Sequence, residues 1–341
     1  MTVGPPGRMS PSTPRVTVRS LLLVQSDALN LGLEVLAGAE GLDRAISSPY
    51  VLKTGLALAG FDAYLQAGRV LIFGASELGY LVGLEAGARR ESLARAFGHD
   101  IPCVLVTLGL EVPPEVLAEA DRTGVPVLRT PLATPVAIAK LTSFLEDTLA
   151  ERTIVHAVLM DILGLGVLIV GESGIGKSEC ALDLVLRGHR LVADDTVEIR
   201  RVSESVLIGT CPEPTRYHME LRGLGIINVL DIFGVASTRP SKRLELVVQL
   251  ERWEAGREYE RLGLDDRFYE ILGLRVPMNR MPVAPGRSVA NLVEVAARTQ
   301  LMRARGRHAA RELADQLGDR LRRARLRDAA EPPDPDGRGS A

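Results

Sequence analysis

Gly171-Glu172-Ser173-Gly174-Ile175-Gly176-Lys177-Ser178 decides how this chain is read. The octapeptide fits the phosphate-loop pattern G-x-x-x-x-G-K-[ST]. The apolar run Val167-Leu168-Ile169-Val170 predicts a buried strand leading in. Glu179 to Arg187, with Ala181, Leu182, Leu184, Val185 and Leu186 apolar, predicts the helix leading out. Phosphate binding needs that order. Glycines let the backbone turn tightly and aim its N–H groups at phosphate oxygens, and the helix N-terminus adds positive potential. Lys177 would reach the β- and γ-phosphates, and Ser178 would bind Mg²⁺. Lysine occurs only as Lys53, Lys140, Lys177 and Lys242 among 41 basic residues. An ammonium kept at this spot argues for a compact charge that arginine's planar fork would not replace.

Composition bounds the rest. A chain of 341 residues can hold two domains. Apolar content of 46% with 25% charged residues fits a soluble globular protein. A net charge of −2 gives no general attraction to nucleic acid or anionic membrane. No stretch approaches the roughly 20 apolar residues of a membrane helix. Pro5, Pro6, Ser10, Pro11, Ser12 and Pro14 mark a loose tail without a signal-peptide core. Cys103, Cys180 and Cys211 are far apart, which suits buried thiols in a reducing compartment and gives no zinc spacing. A cytoplasmic protein is expected.

Short apolar runs alternate with helical patterns through the first half. A strand is predicted near Val16 to Leu23, and others at Val70–Phe73, Cys103–Val106 and Val125–Leu128. Helices are predicted over Glu91–Phe97, Glu115–Thr123 and Pro135–Leu149, giving a small α/β domain. The expected organisation is a tail over 1–15, an N-terminal α/β domain over 16–150, a phosphate-loop catalytic domain over 151–328, and a disordered tail over 329–341. Two amphipathic helices, Val289–Arg303 and His308–Leu326, end the second domain. The Arg-rich face of the latter, without aromatics, reads as solvated surface or subunit contact rather than a nucleic-acid site.

Three features beside the phosphate loop bear on its chemistry. Leu191-Val192-Ala193-Asp194-Asp195 is an apolar run ending in two acids. Adjacent acids on a strand point opposite ways, so one could assist Mg²⁺ and the other a nucleophile, or the pair could be a solvated strand end. His156 precedes the loop strand, where a lone histidine is commonly structural. Met219-Glu220-Leu221-Arg222-Gly223-Leu224-Gly225-Ile226-Ile227-Asn228 sets a carboxylate and a guanidinium beside two glycines. Glu220 with Ser178 could complete a hard-cation site, or the segment could be a charged hairpin.

These segments, with His156-Ala157-Val158-Leu159-Met160-Asp161, Arg187 to Asp195 and Pro282-Val283-Ala284-Pro285-Gly286-Arg287, occur in the order and spacing of HPr kinase/phosphorylase, a family the chain resembles over nearly its whole length. The likeness is strongest from His156 to Val295 and looser around Lys53 to Phe61. The resemblance implies phosphorylation of a serine of the phosphocarrier protein HPr from ATP or pyrophosphate, regulating carbon metabolism. It also implies phosphorolytic dephosphorylation, with inorganic phosphate as co-substrate and pyrophosphate as product. It assigns the donor to Gly171, Glu172, Ser173, Gly174, Ile175, Gly176, Lys177 and Ser178, and Mg²⁺ to Ser178 and Glu220. Asp195 becomes the general base, and the acid in reverse, with Asp194 a neighbour of the metal or lysine. His156, Lys177 and Arg261 are further active-site residues, the segment Met219 to Asn228 serves both reactions, and Pro282 to Arg287, with Arg287, serves dephosphorylation. The implied fold is a catalytic domain whose phosphate-loop core is similar to phosphoenolpyruvate carboxykinase, behind a separate N-terminal α/β domain, in a homohexamer.

Two rivals remain at this point. One is a kinase on the same scaffold for another hydroxyl substrate. The other is a nucleotide-binding switch or sensor, which needs loops that change on hydrolysis and leaves Asp195 and Arg287 without a task.

Overall fold

The computed structural model describes residues 2–3, 15–24, 29–256, 266–284 and 286–330. Contacts divide the chain into two compact units, Pro11–Arg152 and Met1–Ser10 with Thr153–Ala341.

In the unit ending at Arg152, the run expected as a strand over Val16–Leu23 is a strand only at Val16–Thr17. Thr17 and Ser20 then bond reciprocally, Ser20 N–H to Thr17 Oγ1 at 3.3 Å and Thr17 N–H to Ser20 Oγ at 3.0 Å. That capping box starts the helix Val18–Leu23. The capping chemistry overrides the strand propensity of the valines. Four parallel strands, Leu52–Lys53, Leu71–Phe73, Val104–Val106 and Val127–Arg129, lie side by side. Glu34–Ala37 runs antiparallel on the outer edge of Val127–Arg129. The sheet is covered on one face by Ala86–Phe97 and Pro114–Thr123, and on the other by Thr134–Leu149 through Ala137, Leu141 and Leu145. Sheets buried on both faces read as continuous apolar runs, which is why Leu71–Phe73, Val104–Val106 and Val127–Arg129 were visible, while the part-exposed Leu52–Lys53 and Glu34–Ala37 were not.

The second unit is built on a seven-stranded mixed sheet. Its order is Thr2–Val3, Phe268–Ile271, Leu274–Val283, Leu246–Arg252, Leu165–Val170, Val158–Ile162 and Arg190–Ala193. Thr2–Val3, within the expected loose tail, pairs in parallel with Phe268 and Tyr269. Side-chain alternation sorts the core into two layers. Val158, Met160, Ile162, Val167, Ile169, Val248 and Leu250 face the helices Lys177–Leu186 and Val289–Ala304. Leu159, Leu168, Val170 and Val247 face a four-stranded sheet of Ser241–Arg243, Val206–Thr210, Thr196–Ser203 and Arg152–His156. Each fully buried aliphatic side chain here contributes roughly 1.5–3 kcal/mol. Asp161 interrupts the alternation and is neutralised by Arg239, whose Nη1 lies 2.7 Å from its Oδ2.

Parallel pairing fixes where chemistry can occur. Leu165–Val170, Leu246–Arg252 and Leu274–Val283 run the same way, with Val170 opposite Gln249 and Gln249 opposite Arg280. Their carboxyl ends therefore leave one edge of the sheet, the usual place for ligands in such sheets. The final helix runs Ala309–Ala330, and the tail expected beyond it, 331–341, lies outside the described residues. Among the described residues, no helix is long and apolar enough to cross a membrane.

Candidate active site

The phosphate loop leaves the fully buried strand Leu165–Val170 and enters the helix Lys177–Leu186. Gly176 caps that helix at φ 102°, a conformation side chains other than glycine's rarely adopt. Ile175 N–H donates to Glu172 O at 3.3 Å and closes the turn. Lys177 folds back over the loop, its Nζ donating to the carbonyls of Gly171 and Glu172, each at 3.0 Å. Glu172 also meets Arg252 across 3.4 Å at the exposed rim.

The paired acids part company. Ser178 Oγ donates to both Asp194 oxygens, at 2.9 Å and 3.1 Å. Glu220 N–H adds a bond to Asp194 Oδ2 at 3.3 Å, and the Asp194 residue is only 4% exposed. Burial pushes its carboxyl above the ordinary carboxylate range, and the charge of Asp195 pushes the same way. The bonds from Ser178 and Glu220 pull it back only in part. Asp195 takes the left-handed conformation, φ 62°, at the end of the strand Arg190–Ala193. That turn sends its side chain into solvent, 72% exposed, with Oδ1 3.7 Å from His156 Nδ1. Ala157 N–H donates to Asp195 O at 3.1 Å and ties the two segments together.

The other expected site residues fall as follows. Glu220 lies exposed on the hairpin His218–Leu221/Gly225–Asn228, joined to the loop through Asp194. Arg287 is exposed in a turn closed by its own N–H to Ala284 O at 3.2 Å. It follows the strand Leu274–Val283, whose carboxyl end shares the phosphate-loop edge. Among the described residues, no contact joins Arg287 to the phosphate loop. Arg261 lies outside the described residues. Asp194, absent from the expected ligand set, is the residue most directly engaged with the loop hydroxyl. The two-acid run was its only sequence signal. The cysteines are buried and free, and burial pushes Cys103 and Cys180 up to about 12, which disfavours the thiolate at both.

Comparison with known proteins bears directly on this arrangement. A model of the HPr Serine kinase N terminus matches residues 16–145, and one of the HPr Serine kinase C-terminal domain matches 147–317. A protein of Geobacter sulfurreducens called HPr kinase/phosphorylase is 44% identical over 88% of this chain and 94% of its own. This chain belongs to the HPr kinase/phosphorylase family. A relative of the same description from Halalkalibacterium halodurans is 45% identical over 84% of this chain and 93% of its own. Among solved structures, the HPr(Ser) kinase/phosphatase from Coxiella burnetii is 34% identical, with a TM-score of 0.42. It matches 45% of this chain and 93% of that one.

Proposed function

We propose that this chain phosphorylates a serine of HPr from ATP or pyrophosphate, and removes that phosphate by phosphorolysis. Membership of the family supports the acceptor. The observation that carries the mechanism is the division of the paired acids, with Asp194 buried on the Ser178 hydroxyl and Asp195 open to solvent beside His156.

The hydroxyl and carboxylate oxygens around Ser178 suit a hard cation, and a buried carboxyl pushed upward by desolvation is one that a cation would relieve. Ser178, Asp194 and Glu220 would hold Mg²⁺, which, when bound, supplies positive charge against the phosphate oxygens. The loop N–H groups and Lys177 hold the donor. Asp195 accepts the proton of the incoming serine hydroxyl as the serine O–P bond forms and the bridging P–O bond to the leaving phosphate breaks. His156, within 3.7 Å, orients that carboxylate. In reverse, an oxygen of inorganic phosphate attacks the phosphoserine phosphorus, pyrophosphate forms, and Asp195 returns its proton to the serine oxygen. Arg287, and Arg261 outside the described residues, are assigned to the phosphates, Arg287 chiefly in the reverse direction.

A phosphate-loop core of the phosphoenolpyruvate carboxykinase kind, a cytoplasmic location and a homohexamer belong to the same reading. Leu313 and Leu317, one helical turn apart and half exposed on the last helix, support a subunit contact. The test is incubation of the protein with Mg²⁺, HPr and either donor, following HPr by mass. After removal of donor, inorganic phosphate is added. Gain of one phosphate, lost again with release of pyrophosphate, is expected. No gain with either donor would overturn the reading in favour of another acceptor.

A further inference from the structure

We propose that the outer edge of the strand Phe268–Ile271 is a strand-docking site whose built-in occupant is Thr2–Val3, and that this cover keeps the catalytic sheet from pairing with a second copy of itself. The ladder shows which groups the edge presents. Met278 N–H donates to Arg267 O at 2.8 Å, so Arg267 and Met278 form a hydrogen-bonded antiparallel pair. Such pairs alternate along a ladder, which makes Tyr269 with Val276 and Ile271 with Leu274 the next bonded pairs. Phe268 and Glu270 therefore turn their backbone N–H and C=O groups outward, away from Leu274–Val283. Pro277, which has no N–H to give, lies opposite Phe268, where none is needed.

Outward backbone of this kind is a template for another strand. Phe268-Tyr269-Glu270-Ile271 carries no proline or lysine to discourage pairing. Tyr269 and Ile271, 1% and 2% exposed, anchor it in the core between the two sheets. The opposite edge of the seven-stranded sheet is covered from within the catalytic unit: Arg239 N–H donates to Leu191 O at 2.8 Å, beside the bridge of Leu191 with Thr238. Phe268–Ile271 is covered instead by Thr2–Val3, in parallel, with Thr2 opposite Phe268 and Val3 opposite Tyr269. That register aims the Val3 N–H at the Phe268 carbonyl and the Glu270 N–H at the Val3 carbonyl.

The sequence keeps this cover short. Donors on one side of a strand recur every second residue, so the next after Val3 would come from residue 5, which is Pro5, and Pro6 follows. The ladder stops there, and a strand of two residues offers little edge for further pairing. The residues matched to the two family domains begin at 16, so the cover lies outside both. A brief, proline-stopped strand on an otherwise open edge is an arrangement that opposes edge-to-edge association.

The test is amide hydrogen exchange and sedimentation velocity on the full chain, comparing wild type with Val3→Pro, which removes the donor to Phe268. In wild type the Glu270 amide should exchange slowly. In Val3→Pro it should exchange about tenfold faster or more, while Tyr269 and Ile271, bonded to Leu274–Val283, keep their rates. The variant should also form species larger than the wild-type assembly, in a share that rises with concentration. A peptide of residues 1–10 added in excess should restore Glu270 protection and reverse that association, and the same peptide with Val3→Pro should do neither. Pro6→Ala, which leaves Val3 and Pro5 in place, should match wild type. Equal Glu270 exchange in wild type and Val3→Pro would overturn the docking site, and unchanged sedimentation would overturn its protective role. Protection in wild type that falls on dilution would place the strand in a second copy and overturn its assignment to the chain's own segment. If Glu270, Tyr269 and Ile271 all speed up together, the peptide decides: recovery of Glu270 upholds the site and no recovery rejects it.

Discussion

Replacing Ser178 by alanine should cost stability as well as activity, and the size of the loss should depend on the charge of Asp194. The hydroxyl gives a forked bond to a carboxylate that is 4% exposed, which also accepts from the backbone N–H groups of Glu220 and Asp195. A hydrogen bond to a charged group contributes about 1.5–3 kcal/mol, a neutral one about 0.5–1.5 kcal/mol. Ser178→Ala should therefore destabilise wild type by about 1.5–3 kcal/mol near neutral pH, and the Asp194→Asn variant by about 0.5–1.5 kcal/mol. For a unit of this size each kcal/mol lowers the melting temperature by about 2–4 °C, so the expected drops are about 3–12 °C and 1–6 °C. The single tryptophan, Trp253, lies in the catalytic unit, so its fluorescence follows that unit. The sign of the pH dependence follows from two opposing influences. Burial raises the Asp194 carboxyl above its ordinary 3.8, so the stability it contributes is full below that value and is lost as pH rises through its folded value. The Ser178 bond acts the other way, favouring the charged form, so the cost of Ser178→Ala should grow as pH rises through that same folded value. Asp194→Asn should flatten both trends and raise the melting temperature near neutrality while removing metal-dependent transfer. Equal costs of Ser178→Ala in the two backgrounds, or a cost that does not change with pH, would refute the claim that Asp194 is a buried charge held by this hydroxyl.

Lys177→Ala should cut transfer from ATP by about 10²–10³-fold or more, measured by phosphate incorporation into HPr; near-normal incorporation would remove Lys177 from the donor site. Asp195→Asn should lose both directions while still binding Mg²⁺–nucleotide with affinity within a few-fold of wild type, because its side chain makes no bond to the loop. Retained phosphorolysis would end the shared acid and base role. Arg287→Ala should slow phosphorolysis at least tenfold more than phosphorylation, followed as pyrophosphate release against HPr mass gain, and equal losses would reject a direction-specific role.

The elements legible in the sequence were those whose signal is local. Leu165–Val170 was readable as a strand because all its residues are buried, and a glycine-rich octapeptide can follow such a strand in few ways. The helix Val289–Ala304 was readable because Val293 and Ala296 recur at helical spacing on the buried face. The segment at Val16–Leu23 was misread for a local reason too. Two valines outweighed a capping box that only Thr17 and Ser20 reveal. What could not be read was pairing across distance. Nothing in the sequence sets Ser241–Arg243 beside Val206–Thr210, or a second sheet beneath the first.

The same division runs through the site. Lys177 and Ser178 are fixed by spacing within one loop, so sequence names them together. Asp194 and Asp195 are adjacent, and strand geometry says only that they point apart. Which one turns inward depends on the left-handed backbone at Asp195, and that depends on Ala157 N–H capturing the Asp195 carbonyl at 3.1 Å. Ala157, between the strands Arg152–His156 and Val158–Ile162, precedes the phosphate loop and Asp195 follows it, so no short window of sequence contains both partners. A motif can thus say that a chain holds phosphate. Which acid turns inward and which turns out to solvent is set by hydrogen bonds between segments far apart in the chain.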